Sequence, residues 1–82
     1  MPNQLLTVEV KTLSDQPVKV TAYSVSSTNG RGRFDILPNH ANFITLIKDF
    51  LIVKTVGNEK TIKFKEGVLY CKKDKVKIFI EN

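Results

Sequence analysis

Cysteine is nearly absent: Cys71 stands alone among 82 residues. A single thiol excludes an internal disulfide and fits a reducing compartment. Histidine is equally scarce, with His40 the only one. A zinc site draws several ligands from His, Cys or carboxylates, and a catalytic histidine needs a nucleophile and an orienting acid. Thr45 and Asp35 lie nearby in sequence, but their spacing resembles no known triad, so His40 reads as a turn or interface residue. Nothing approaches the length of a membrane span. The start, Met1-Pro2-Asn3-Gln4, lacks the charged and apolar regions of a signal peptide. These absences lead to the expectation of a soluble, cytoplasmic protein. No amphipathic helix of useful length, internal repeat, low-complexity segment or linker is visible, and one domain spanning 1–82 is expected.

What is present is alternation. Leu6, Val8 and Val10 alternate with Thr7, Glu9 and Lys11. Val18, Val20 and Ala22 alternate with Lys19 and Thr21, and Val25 with its serine neighbours extends this run weakly. Ile62 and Phe64 oppose Thr61, Lys63 and Lys65. Val76, Ile78 and Ile80 form a last inward row. Each is the pattern of a half-buried strand. Phe34 to Leu37 and Phe43 to Ile47 read as short buried strands, and Leu51 to Val56 as another. Turns are expected at Ser14-Asp15-Gln16-Pro17, Ser27–Gly32, Pro38-Asn39, Val56–Lys60 and Lys72–Lys75, with a break at Glu66-Gly67. The chain is therefore expected to be all-β, a two-sheet sandwich or flattened barrel of about eight to ten short strands.

The net charge is +5, divided as +1 over residues 1–42 and +4 over 43–82. A basic balance suits an anionic partner, but these lysines alternate with apolar residues, as on a solvated strand face. Scattered Phe and Tyr among lysines keep a nucleic-acid-binding barrel open as an alternative, although Phe64 shares its side with Ile62 and reads as core. Tyr70 is not assigned to core or surface, and Phe79, on the face opposite Val76, Ile78 and Ile80, is a candidate for an interface. Asn29-Gly30-Arg31-Gly32-Arg33 offers glycines and cations for a small anion nest, but lacks the ending and helix of a phosphate-binding loop. Cys71 has basic neighbours in Lys72 and Lys73, which could activate it, but no second cysteine or paired base accompanies it, so it reads as a buried or edge-strand residue.

The densest segment is Gly32-Arg33-Phe34-Asp35-Ile36-Leu37-Pro38-Asn39-His40-Ala41-Asn42-Phe43-Ile44-Thr45-Leu46. It resembles the signature of the N-terminal β-sandwich domain of the epsilon subunit of F-type ATP synthases, called delta in mitochondria. That pattern is roughly Gly-x-Phe/Leu-Gly-Ile/Val-Leu/Tyr-Pro-Gly-His-Ala-x-x-Ile/Leu-Thr-x-Leu. Gly32, Phe34, Ile36, Leu37, Pro38, His40, Ala41, Ile44, Thr45 and Leu46 fit it. The resemblance extends to Leu6–Val10, Val25–Ser27, Gly67–Cys71 and Val76–Ile80. Asp35, Asn39, Phe50 and Glu66 stand where glycine is usual, and Arg33 where an acidic or small residue is common. Asn39 can still adopt the left-handed turn.

The resemblance implies a non-catalytic central-stalk rotor subunit that couples proton flow to ATP synthesis. Its partners would be the gamma subunit and the ring of c subunits, and no cofactor, metal or nucleic acid is expected. Asn29, Arg31, Arg33, Asn39, His40 and Asn42 would contact gamma and ring, while Phe34, Ile36, Leu37 and Pro38 would anchor those loops in the core. The family's C-terminal pair of helices is expected to be lacking. An isolated monomer is expected, without membrane insertion, at the cytoplasmic face of a bacterial plasma membrane. The alternatives are the nucleic-acid-binding barrel and a stand-alone protein-interaction sandwich.

Overall fold

The computed structural model describes residues 5–14 and 16–81. The expected turn at Asp15 and the Met1–Gln4 segment lie outside these described residues. Among the described residues seven strands form: β1 (Leu6–Thr12), β2 (Val18–Ala22), β3 (Ser24–Asn29), β4 (Gly32–Ile36), β5 (Phe43–Thr55), β6 (Asn58–Lys72) and β7 (Lys75–Glu81). Hydrogen bonding orders them β2-β1-β7-β6-β5-β3-β4. Every neighbouring pair is antiparallel except β1 with β7, which run parallel.

The chain makes a sandwich from this one sheet because β5 and β6 are long, 13 and 15 residues, and serve both layers. The C-terminal half of β6 pairs with β7. The C-terminal half of β5 pairs with β3. The all-β sandwich matches the expectation. There are fewer strands because the gap left at 48–50 and the expected break at Glu66-Gly67 both fall within continuous strands, with Glu66 and Gly67 in regular pairing.

The bend has a definite construction. Lys48 pairs with Glu66 and Asp49 with Phe64, so Lys65 is an extra residue in β6. An extra residue bends and twists a strand and reverses the side its neighbours face. Leu69 and Cys71 are buried on one side of Lys65, Phe64 on the other, so the inward side changes from odd to even positions. Across from it, Asp49 takes φ 73°, a conformation Asp tolerates better than most residues. The Ser27 hydroxyl donates to the Phe50 carbonyl at 2.7 Å and satisfies that displaced acceptor.

The core lies between the layers. Leu6 and Val8 of β1, Val76, Ile78 and Ile80 of β7, Leu69 and Cys71 of β6, Leu51 and Val53 of β5, Val25 and Ile36 are all buried. Burying each large aliphatic side chain is worth about 1.5–3 kcal/mol. The serine-rich stretch after Val25 is a separate strand in the second layer, not an extension of β2. Its serines are buried at little cost because their hydroxyls are paired. The Ser26 hydroxyl donates to Asp35 Oδ1 at 2.5 Å, and Ser27 serves Phe50.

Alternation corrects three expected core positions. Ile36 is fully buried and Phe34 packs partly buried against the core. Leu37 is instead 57% exposed, because it follows Ile36 with the opposite orientation as the strand ends. Ile44 and Leu46, read as part of a buried strand, are exposed because Phe43, Thr45 and Ile47 take the inward side of β5.

Candidate partner-binding surface

The six residues expected to meet partners fall on two exposed features at opposite ends of β4. Its five residues separate them by roughly 17 Å of extended chain. The first is the β3–β4 hairpin. Asn29 Oδ1 accepts the Arg31 backbone N–H at 2.8 Å, an Asx turn that shapes the tip. Asn29 Nδ2 donates to Thr45 Oγ1 at 3.2 Å and ties the tip to β5. Gly32 has φ 120°, which a side chain would resist. The Arg33 guanidinium lies 5.9 Å from the Phe50 ring centroid and 3.7 Å from the Asp35 carboxylate. Both partners orient Arg33, yet its exposed ion pair adds little stability.

The second feature is the turn over residues 37–43, which is fastened to the β6–β7 hairpin. Asn39 takes φ 71°, as its type allows, and its N–H donates to Asp74 Oδ1 at 2.7 Å. The His40 N–H donates to the Leu37 carbonyl at 3.1 Å. Asn42 Oδ1 accepts the Lys73 N–H at 3.0 Å. His40 Nδ1 lies 2.8 Å from the Ala41 carbonyl, which only accepts, so the ring donates through Nδ1 in this contact. The His40 ring packs on Phe43 with centroids 4.9 Å apart, and Phe43 meets Phe34 edge-on at 5.9 Å. Pro38 is half-buried, while Asn39, His40 and Asn42 are exposed. None of these contacts supplies His40 with a nucleophile. Among the described residues no group of three or more His, Cys, Asp or Glu is placed to hold a metal.

Asp74 organises this end and was not singled out in the sequence. Its side chain holds Asn39, and its carbonyl accepts the Thr7 N–H at 2.9 Å. With Lys73 it carries positive φ, as a tight hairpin turn requires. The available signal was an Asp within the Lys72–Lys75 turn. Cys71 is wholly buried beside it. Burial, and secondarily the Asp74 charge, push its thiol pKa above the ordinary value, so the group is inert rather than activated.

The larger feature is a face that sequence reading found only in part. Leu46, Val68 and Phe79 are cross-strand neighbours in one row over β5, β6 and β7, and Ile44 with Tyr70 forms the next row. Leu46 is 73% exposed, Ile44 67% and Phe79 50%. Leu46, Val68 and Phe79, with exposed Leu13, border a cleft of about 470 Å³ whose rim includes Asn29 and Gly30 of the hairpin. Phe79 was recognisable as an interface candidate; Tyr70, Leu46 and Ile44 were not. The missed signal was that residues 43–47 are apolar on both alternating sides, more than a half-solvated strand needs. Gly67 lies beneath this face, where an added Cβ would sit 2.5 Å from the Phe79 carbonyl oxygen.

A family model described as the ATP synthase Delta/Epsilon chain β-sandwich domain matches residues 5–82. Comparison with curated protein sequences gives no match. Among solved structures, a chain of the Euglena gracilis mitochondrial ATP synthase, determined by cryo-EM with OSCP, F1 and c-ring, superposes with a TM-score of 0.84 at 12% identity. The match covers 93% of this chain and 50% of that one, so the present chain spans about half the length of its Euglena neighbour. A chain from the Tetrahymena thermophila mitochondrial ATP synthase central stalk and c-ring gives 0.79 at 9% identity, covering 100% and 67%. At these identities the structural likeness shows the fold alone.

Proposed function

The chain belongs to the family of the ATP synthase delta/epsilon-chain β-sandwich domain, and from that premise we propose that it is a non-catalytic rotor subunit of the central stalk, binding gamma and the c-ring and coupling proton flow to ATP synthesis. The observation that carries this reading is the exposed apolar face over β5, β6 and β7. Such a face is costly in water and typical of the centre of a protein interface. Gamma would cover Leu46, Val68 and Phe79 and extend over Ile44 and Tyr70 toward Asn39, His40 and Asn42. The hairpin residues Asn29, Arg31 and Arg33, at the far end of β4, would meet the ring. The subunit would act by contact alone, passing torque between ring and gamma. The resulting location is a complex peripheral to a membrane. Both solved neighbours belong to mitochondrial complexes; the bacterial plasma-membrane setting rests on the sequence resemblance.

The test is co-expression with the gamma and c subunits of the same organism, followed by capture on gamma. Leu46→Asp with Phe79→Asp places two charges at the centre of the face. Each lost anchor should cost about 2 kcal/mol, roughly thirtyfold apiece, so the affinity for gamma should fall several hundredfold in the double variant. Arg33→Glu should lower retention on the ring while leaving gamma capture intact. A folded double variant that binds gamma as the wild type does would refute the assignment of the face.

A further inference from the structure

The apolar face over β5, β6 and β7 is charged unevenly along its strands. Val68, Tyr70 and Lys72 of β6 share one side, because pairing with β7 is regular from Glu66 to Lys72. Their cross-strand partners on that side are Phe79, Lys77 and Lys75. Lys72, Lys75 and Lys77 are therefore neighbours on one side of the sheet, and all three are exposed. They stand at the end of the apolar rows nearer the β6–β7 hairpin. Like charges directly opposite destabilise a strand pair, so Lys72 against Lys75 does not serve the fold.

Nearby acids offset this cluster only in part. Glu9 of β1 lies beside Lys77, but Lys19 flanks it on its other side. The Asp74 carboxylate accepts the Asn39 N–H. Met1–Gln4 contain no acid, and Asp15 follows β1 beyond Thr12, which pairs with Ile80 toward the opposite end of β7. At that opposite end Glu66 faces Glu81, but Lys48 is beside Glu66 and Lys11 beside Phe79, so the signs there are mixed. The face offers side chains alone, because β6 is hydrogen-bonded on both edges. An extended segment laid on it would bury unpaired backbone groups, whereas a helix satisfies its own. Two strand spacings from β5 to β7, about 10 Å, match the width of one helix.

We propose that this face seats an amphipathic helix of the partner, laid along β6, with its apolar side on Leu46, Val68, Tyr70 and Phe79 and a cluster of carboxylates over Lys72, Lys75 and Lys77. The Lys72–Lys75 pair lies four residues along β6 from the Val68–Phe79 pair, about 13 Å. Those carboxylates therefore belong roughly one to two helical turns beyond the apolar anchors. The helix would be gamma's, which rests on the reading of this face as the gamma contact.

Lys72→Glu turns the Lys72–Lys75 pair from repelling to attracting. The Tm of the chain alone should rise by roughly 1–5 °C. Capture on co-expressed gamma should nevertheless fall about tenfold in low salt and by less in high salt. A purely structural role would move stability and binding together. Lys60→Glu makes the same charge change on the β5–β6 hairpin and should leave capture unchanged. A benzophenone side chain placed at Val68 or Tyr70 should cross-link gamma residues three, four or seven positions apart. Cross-links two positions apart would mark an extended segment and overturn the helix. Capture of Lys72→Glu equal to wild type, or a loss matched by Lys60→Glu, would overturn the acidic cluster. If wild type is not captured, or Leu46→Asp with Phe79→Asp leaves capture intact, the stalk reading itself fails. Capture sensitive to that double variant but indifferent to Lys72→Glu refutes the acidic helix alone.

Discussion

Gly67→Ala probes the one glycine of the four where an added Cβ would meet other atoms within 4 Å. Gly67 pairs with Ile80 on one side and Ile47 on the other, in the interior of the sheet. A Cβ there would lie 2.5 Å from the Phe79 carbonyl oxygen, where ordinary contact begins at 3.4 Å. The obstacle is main chain, so no side-chain rotation relieves it, and β6 and β7 would have to separate by a substantial fraction of an ångström. Overpacking of this kind costs about 1–3 kcal/mol, and an unyielding backbone atom points to the upper part of that range. Removing a glycine also restricts the unfolded chain, an opposing gain of about 0.4–1 kcal/mol. The expected net loss is about 2 kcal/mol, or roughly 8–16 °C in Tm for a domain of this size. Urea unfolding monitored by circular dichroism measures it. Gly30→Ala is the control: nothing lies within 4 Å of its would-be Cβ and its φ is not positive, so its effect should stay within about 0.5 kcal/mol. A Gly67→Ala variant as stable as wild type, or an equal loss from Gly30→Ala, would refute the steric reasoning.

Ser27→Ala removes the donor to the Phe50 carbonyl; the urea midpoint should fall by an amount equivalent to about 1–2 kcal/mol, and an unchanged midpoint would show that water replaces the hydroxyl. The Cys71 thiol has a folded-state pKa raised above 9.0, so above that pH the unfolded chain releases its proton first. That contribution to stability is complete below pH 9 and lost as pH rises through the folded pKa; a Cys71→Ala variant should show a flatter decline between pH 8 and 10 in paired urea titrations, and parallel curves would contradict the assignment. His40→Ala should reduce capture on gamma while changing stability by no more than about 1 kcal/mol, since the ring is exposed and packs mainly on Phe43. Matched losses of Tm and capture would make His40 a structural residue instead.

Alternating rows made β1 and β7 readable in the sequence, because Leu6-Val8 and Val76-Ile78-Ile80 each face one core. Asn39 was equally legible: its residue type tolerates the left-handed turn that the chain requires there. The long strands were harder. Glu66-Gly67 carries the marks of a strand break, yet glycine there serves close strand packing, and the extra residue responsible for the bend is the unremarkable Lys65. Leu37, Ile44 and Leu46 were misread because an apolar residue beside a core residue looks the same whether it faces core or a partner. Only pairing registers separate the two. The hairpin and the turn were identifiable as loops from residue type and spacing, and the expectation that they meet partners came from the family resemblance; their separation along β4, the fastening by Asp74 and the apolar face depend on contacts between segments far apart in the chain.

The parallel pairing of β1 with β7 has a consequence for biosynthesis. Thr7 lies beside Lys75 and Thr12 beside Ile80, so β1 has only β2 as a sheet neighbour until β7 emerges from the ribosome. Side by side they form one wall of the core, with Val8 beside Val76 and Val10 beside Ile78. The layer containing them therefore cannot close during translation of the first six strands, and final collapse must await release of β7. A nascent chain stalled before Lys75 should remain protease-sensitive and expose its apolar rows, making this domain a natural client of ribosome-associated chaperones.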